Sequence, residues 1–157
     1  MDIQGFELVL EKAKQCEYYD PAEGKSTAVI KHAEELLGLS FSPQLNYYLS
    51  HIGYLSFAGN EFLGILKDDF NGTPAMNIVE FALQQRAQFD LPKSWIPIYI
   101  MGDGSIAFLD SSRCNTEGEP PVILGLYSGT AFVDQGVIAE DYGDFMEQRI
   151  NQQLSRQ

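Results

Sequence analysis

Ser105 follows Gly102-Asp103-Gly104, His32 stands three residues before Glu35, and Asp68 adjoins Asp69. Each pattern has a chemistry to test. A serine nucleophile on an elbow needs Gly-x-Ser-x-Gly between a strand and a helix. Here the serine begins an apolar run, Ser105-Ile106-Ala107-Phe108-Leu109-Asp110, so it reads as a turn residue entering a strand. A glycine loop that cradles phosphate opens a helix, whose N-terminal N–H groups hold the anion. Gly102-x-Gly104 instead joins two apolar runs, which is the pattern of a type I′ or related hairpin turn. His32 and Glu35 lie one helical turn apart and offer two ligands, whereas a stable zinc site takes three or four with supporting contacts behind them. His51 is the only other histidine. Asp68-Asp69 lacks the further oxygen ligands at fixed spacing that a calcium loop requires. Cys16 and Cys114 are isolated and form neither a zinc pattern nor a disulfide framework. The expectation is a protein without a catalytic constellation, metal or cofactor, and not an enzyme.

Binding chemistry is better supplied. Tyr18-Tyr19, Tyr47-Tyr48, Tyr54, Phe57, Phe62 and Phe70 concentrate in the first half of the chain, and tyrosine is among the usual anchors of protein interfaces. Most of these rings belong to a core. Tyr47, opposite Leu45 and Leu49 on a helix, and Tyr54, just past the end of that helix, are the candidates for exposure. Glu61 in a hairpin, Asp68 and Asp69 in a loop and Asp103 in a turn would supply carboxylates to a basic partner. The candidate partner-binding set is therefore Tyr47, Tyr54, Glu61, Asp68, Asp69 and Asp103.

The formal net charge of -12 comes from 22 acidic and 10 basic residues. No Lys/Arg-rich run is available to follow a phosphate backbone, so nucleic acid is excluded as a direct partner. From Cys114 through Gln148 there is no Lys or Arg, while Glu117, Glu119, Asp134, Glu140, Asp141, Asp144 and Glu147 all fall in that span. One side of the fold should be strongly negative, either for solubility or to steer a basic partner inward. The amino terminus lacks a basic region followed by an apolar run, and no apolar stretch approaches the roughly 18 residues of a membrane helix. A cytoplasmic protein with reduced cysteines is expected, and no membrane partner. Asn71-Gly72-Thr73 fits the glycosylation pattern but reads as a turn.

These residues must be positioned by a single domain spanning 1–157, with hydrophobic residues at 45% and aromatics at 12%, ample for a core. Ile3, Phe6, Leu10 and Ala13 recur at helical spacing and predict a helix from 3 to about 16, ended by a Tyr19-Asp20-Pro21 turn. Ser26 caps a second helix that buries Val29, Ile30, Ala33 and Leu37 and stops at Gly38. Ser42-Pro43 opens a short third helix with Leu45, Tyr48, Leu49 and Ile52 inward, ended by Gly53. A hairpin follows, turning at Gly59-Asn60 between strands near Ser56-Phe57 and Glu61-Leu63. The segment Asp68 to Pro74 is a loop, and a fourth helix from about Met76 to Phe89 buries Val79, Leu83 and Ala87. Strands are predicted at 96–101, 105–110 and 121–127, with one more at Ala131-Phe132-Val133. Asp141 or Ala139 begins the last helix, with Tyr142, Phe145, Met146, Ile150 and Leu154 inward. The fold class is α+β, a mostly antiparallel sheet of about five to six strands flanked by N-terminal, middle and C-terminal helices.

Three blocks of this chain fall in an order that is more specific than any one of them. The first is Ala33-Glu34, Leu37-Gly38, Pro43, Tyr48-Leu49 and Gly53, followed by the hairpin from Phe57 to Gly64. The second is Ile96-Pro97-Ile98, Gly102-Asp103-Gly104, Leu109-Asp110 and Pro121-Val122-Ile123. The third is Asp141-Tyr142-Gly143-Asp144-Phe145-Met146. In this order the three blocks resemble the SUKH superfamily (Smi/Knr-like), and the third looks like the closing helix of that family. Ser42 departs from the apolar residue often found before the proline, and Tyr54 from the glycine or polar residue often found after Gly53. The resemblance implies a non-catalytic immunity protein of a bacterial polymorphic toxin system. Such a protein binds a cognate secreted toxin, and a cationic effector such as a nuclease suits this chain's charge. The fungal relatives imply the alternative, an intracellular regulatory module with no toxin partner. A monomer or weak homodimer fits either.

Overall fold

The computed structural model describes residues 1–70 and 77–157. In chain order it contains helix α1 (Ile3–Ala13), strand β1 (Asp20–Pro21), helices α2 (Thr27–Leu37) and α3 (Pro43–His51), and strands β2 (Leu55–Phe57) and β3 (Asn60–Phe62). Helix α4 (Ile78–Phe89) follows, then β4 (Trp95–Ile100), β5 (Ser105–Asp110), a single 3₁₀ turn (Ser111–Arg113), β6 (Val122–Tyr127), β7 (Phe132–Ala139) and helix α5 (Tyr142–Arg156). The strands form one sheet in the order β1-β2-β3-β4-β5-β6-β7, and every neighbouring pair is antiparallel. The α+β class and the antiparallel sheet match the sequence reading.

The helix ends follow local chemistry. Ser26, Ser42 and Asp141 cap α2, α3 and α5 by accepting N–H bonds from Val29, Leu45 and Asp144, and Gly38 ends α2 in the left-handed region at φ 68°. Phe6, Ala33, Leu37, Leu45, Tyr48, Tyr142 and Phe145 bring the helices onto Leu55, Phe57, Phe62, Ala107, Leu109 and Val122 of the sheet in one core. A smaller cluster, Leu91, Trp95, Phe108 and Ile123 with Ile106 and Phe132, lies on the opposite face of β4 to β7. The alternation of a strand requires this, because Phe108 sits between Ala107 and Leu109. Gly125 leaves room for it: a Cβ there would lie 2.6 Å from the Phe108 ring and 3.1 Å from Trp95.

Four expectations need correction. Tyr19-Asp20-Pro21 is not only a turn, since Asp20 and Pro21 pair with Ser56 and Leu55 as an edge strand, where a proline without an N–H is tolerated. That strand brings the total to seven. The β2–β3 turn is Ala58-Gly59, not Gly59-Asn60; both residues have positive φ, 47° and 81°, as a type I′ turn demands. Helix α4 buries Ile78, Val79 and Ala82, while Leu83 and Ala87 are exposed. Arg86 explains the rotation: its guanidinium reaches inward to donate to the carbonyls of Leu37 and Lys93 at 2.9 and 3.0 Å. Strand β7 runs on to Ala139, well past Val133, with two register shifts against β6. The helix start at Met76, the Asn71 to Pro74 part of the loop and the Asn71-Gly72-Thr73 pattern lie outside the described residues.

Candidate partner-binding surface

The two-residue turn at Ala58-Gly59 decides which way each hairpin side chain points. With Phe57 opposite Asn60 and Ser56 opposite Glu61, Asn60 faces the core and Glu61 faces out. A one-residue slip would exchange them. Across the other edge of β2, Asp20 pairs with Ser56, so Asp20, Ser56 and Glu61 form one row over three strands on the outer face. Tyr54 lies on that same face two residues before Ser56, its carbonyl accepting from Ala22 N–H at 2.8 Å. Burial, then the carboxylates of Glu61 and Asp20, push the Tyr54 phenol up to about 12. Tyr18, in the left-handed region at φ 59°, stands 82% exposed beside the row. Together Tyr18, Asp20, Ser56, Ala58, Gly59 and Glu61 line an open cleft of about 540 Å³.

Rigid supports sit beneath this row. The Tyr48 hydroxyl on α3 donates to the Phe62 carbonyl and accepts from Leu55 N–H, both at 2.9 Å, and so joins the helix to both strands of the hairpin. Burial raises the Tyr48 phenol well above its ordinary range and keeps it neutral. Asn60 donates to Phe57 O and accepts from the Tyr99 hydroxyl at 3.0 Å, while Arg149 lies 4.7 Å over the Tyr99 ring. At the base, Ile65 N–H donates to Gly53 O, and a Cβ on Gly64 would stand 1.9 Å from that oxygen, so only glycine allows the two backbones to meet.

The six candidate residues do not form one surface. Tyr54 and Glu61 share the outer sheet face. Asp103 is exposed in the β4–β5 turn, which lies at the same end of the sheet as Ala58-Gly59, and its carboxylate is held below the usual range by the hydroxyl and N–H of Ser105. Asp68 is exposed but paired with Lys25 at 3.4 Å, and Asp69 is exposed beside it. Tyr47 belongs to the helical layer: half-buried, it makes an edge contact with Phe6 and stacks on His51 at 3.8 Å. His32, on α2, packs near Phe70. Among the described residues, no three His, Cys, Asp or Glu side chains are grouped to hold a metal ion, and no helix is long and apolar enough to cross a membrane. Asp20 and Tyr18 were missed as site residues. The signal was the unbroken Tyr18-Tyr19-Asp20-Pro21 between two helices, which reads equally well as a turn.

The acidic run from Glu117 to Glu147 is not one negative face. Glu119 and Asp141 are buried, and Asp134 pairs with Arg113 at 3.1 Å. Gln44 connects the two buried acids through both its side chain and its backbone: its amide donates to Asp141 at 3.1 Å and to Met1 O at 2.8 Å, its side-chain oxygen accepts from Gly143 N–H, and its backbone N–H donates to Glu119 at 3.2 Å. Asp141 also meets the Met1 amino group. Burial raises the Glu119 carboxyl, opposed by hydrogen bonds from Gln44 and Ser42 and reinforced by Asp141.

The architecture defines an α+β class of protein in which an antiparallel sheet, running in chain order, carries its main helical core on one face. A family model described as SMI1-KNR4 cell-wall, within the SUKH group, matches residues 6–148, and the chain belongs to this family. The SUKH family includes immunity proteins. No curated protein matches the chain.

Proposed function

We propose that this chain is a non-catalytic immunity protein that binds a cognate toxin and neutralises it in the cytoplasm of the producing cell. The family match over residues 6–148 carries the reading. The net charge of -12 selects the partner's chemistry: a cationic effector such as a nuclease, whose active site must itself attract phosphate. Tyr54 and Glu61, with Asp103 nearby, form the nearer part of the binding surface, and Tyr47, Asp68 and Asp69 serve as contacts outside it. The protein acts as a monomer or weak homodimer, without a cofactor.

The test is co-expression with the toxin encoded beside this chain's gene. Protection is the expected result, and loss of viability equal to the toxin-alone control overturns the reading. With that toxin in hand, the association rate should fall steeply with added salt. A rate independent of salt would remove the electrostatic part.

A second reading rests on the cell-wall description of the matching family: an intracellular regulatory module of the Smi/Knr type. It predicts that no toxin gene lies beside this one.

A further inference from the structure

We propose that the cleft on the outer face of β1 to β3 is a receptor for arginine side chains of the cationic partner, with Asp20 and Glu61 as its two anionic walls, Tyr18 as a stacking surface and Ile100 as its apolar margin. This rests on the reading of a basic partner and names where that partner docks.

The register sets the spacing. Asp20 and Glu61 flank Ser56 on adjacent strands, so their backbones stand about 10 Å apart at the usual inter-strand distance. That gap admits a guanidinium between the two carboxylates, or two arginines, one on each. Ser56, half-buried between them, adds a hydroxyl at the floor. The next residue in the row is apolar: Phe62 pairs with Tyr99, which sets Glu61 opposite Ile100, 42% exposed, and Ile100 pairs in turn with half-buried Ile106.

The occupant follows from charge and shape. A second copy of this chain would bring Asp20 and Glu61 against their own kind at a net charge of -12 per chain, which repels. Arginine fits better than lysine because its planar guanidinium bonds carboxylates in pairs and stacks on aromatic rings, and Tyr18 presents a ring that is 82% exposed. The apolar strip beyond Glu61 suits the aliphatic stem of arginine or a neighbouring leucine.

The experiment titrates the full isotope-labelled chain with the peptide acetyl-Arg-Gly-Arg-amide and follows backbone amide shifts by NMR. Shifts should concentrate at Asp20, Ser56, Glu61 and Ile100. The Asp20→Asn/Glu61→Gln double variant should bind the peptide about fivefold more weakly or worse, as expected for losing two partly exposed charge contacts. The Glu7→Gln/Glu140→Gln variant removes the same charge from exposed positions elsewhere and should bind as wild type. Shifts spread over all exposed acids, or equal weakening in the two double variants, overturn the proposal. The titration contains no toxin, so its failure removes the cleft and leaves the immunity reading, which falls only if the wild-type chain fails to protect cells.

Discussion

Two pairs of carboxylates in this molecule have opposite surroundings. Asp20 and Glu61 stand in solvent on the outer sheet face, while Glu119 and Asp141 are buried under the starts of α3 and α5. The buried pair is held by Gln44, which reaches both acids and the backbone of Gly143. Among the described residues no side-chain hydrogen bond or ion pair holds the outer pair, whose strands both pair with Ser56. Acidic residues cost free energy when buried unless hydrogen-bonded, so the satisfied pair is structural and the open pair is free to meet a partner. Net charge alone treats all four alike.

The contrast can be broken most directly at Asp141. Asp141→Ala removes the α5 cap and leaves the Gln44 amide short of an acceptor, at an expected cost of about 3 kcal/mol read from the urea midpoint. A cost below that of losing one exposed acid would erase the distinction. Tyr48→Phe comes next. It strips the Phe62 carbonyl and the Leu55 N–H of their buried partner, and unfolding should become easier by about 2 kcal/mol.

Glu119 gives a smaller effect with a definite sign. Its carboxyl is raised in the folded chain above the ordinary 4.5, so the native state holds the proton more tightly than the unfolded state. That contribution is fully present below the ordinary value and is lost as pH rises through the raised one. Glu119→Gln abolishes this titration, so denaturation at about pH 4 and at about pH 7 should show the variant gaining on wild type toward neutrality. The smallest effect belongs to Asp20→Asn/Glu61→Gln, whose thermal unfolding should shift by no more than about 0.5 kcal/mol, as for other surface changes. A loss of several kcal/mol there would assign the outer pair to structure as well.

Much of the scaffold was legible in the chain. Ser26, Ser42, Pro43, Gly38 and Asp141 announce helix ends by chemistry that acts within a few residues, and the structure places each where that chemistry demands. Errors fell where distant contacts decide. Arg86, reaching to Leu37 and Lys93, turns α4 away from its apparent apolar stripe of Val79, Leu83 and Ala87. Ala58 takes a left-handed conformation that its residue type does not advertise, and this moves the turn back by one residue and brings Asn60 into the strand opposite Phe57, facing the core. Of the candidate surface, the outward placing of Glu61 was readable, but its neighbour Asp20 enters from a strand of only two residues, too short to leave any periodic pattern. Glu119 and Gln44 come from segments 75 residues apart, and only folding reveals that they share a hydrogen bond.

The closure of Gly53 upon Gly64 and Ile65 makes residues 53 to 65 a nearly complete ring, and the Tyr48 hydroxyl pins both strands of that ring to a helix. The backbone under Glu61 has therefore surrendered its conformational freedom during folding. A protein docking there would have little left to order on arrival, and more of the contact energy would remain as affinity.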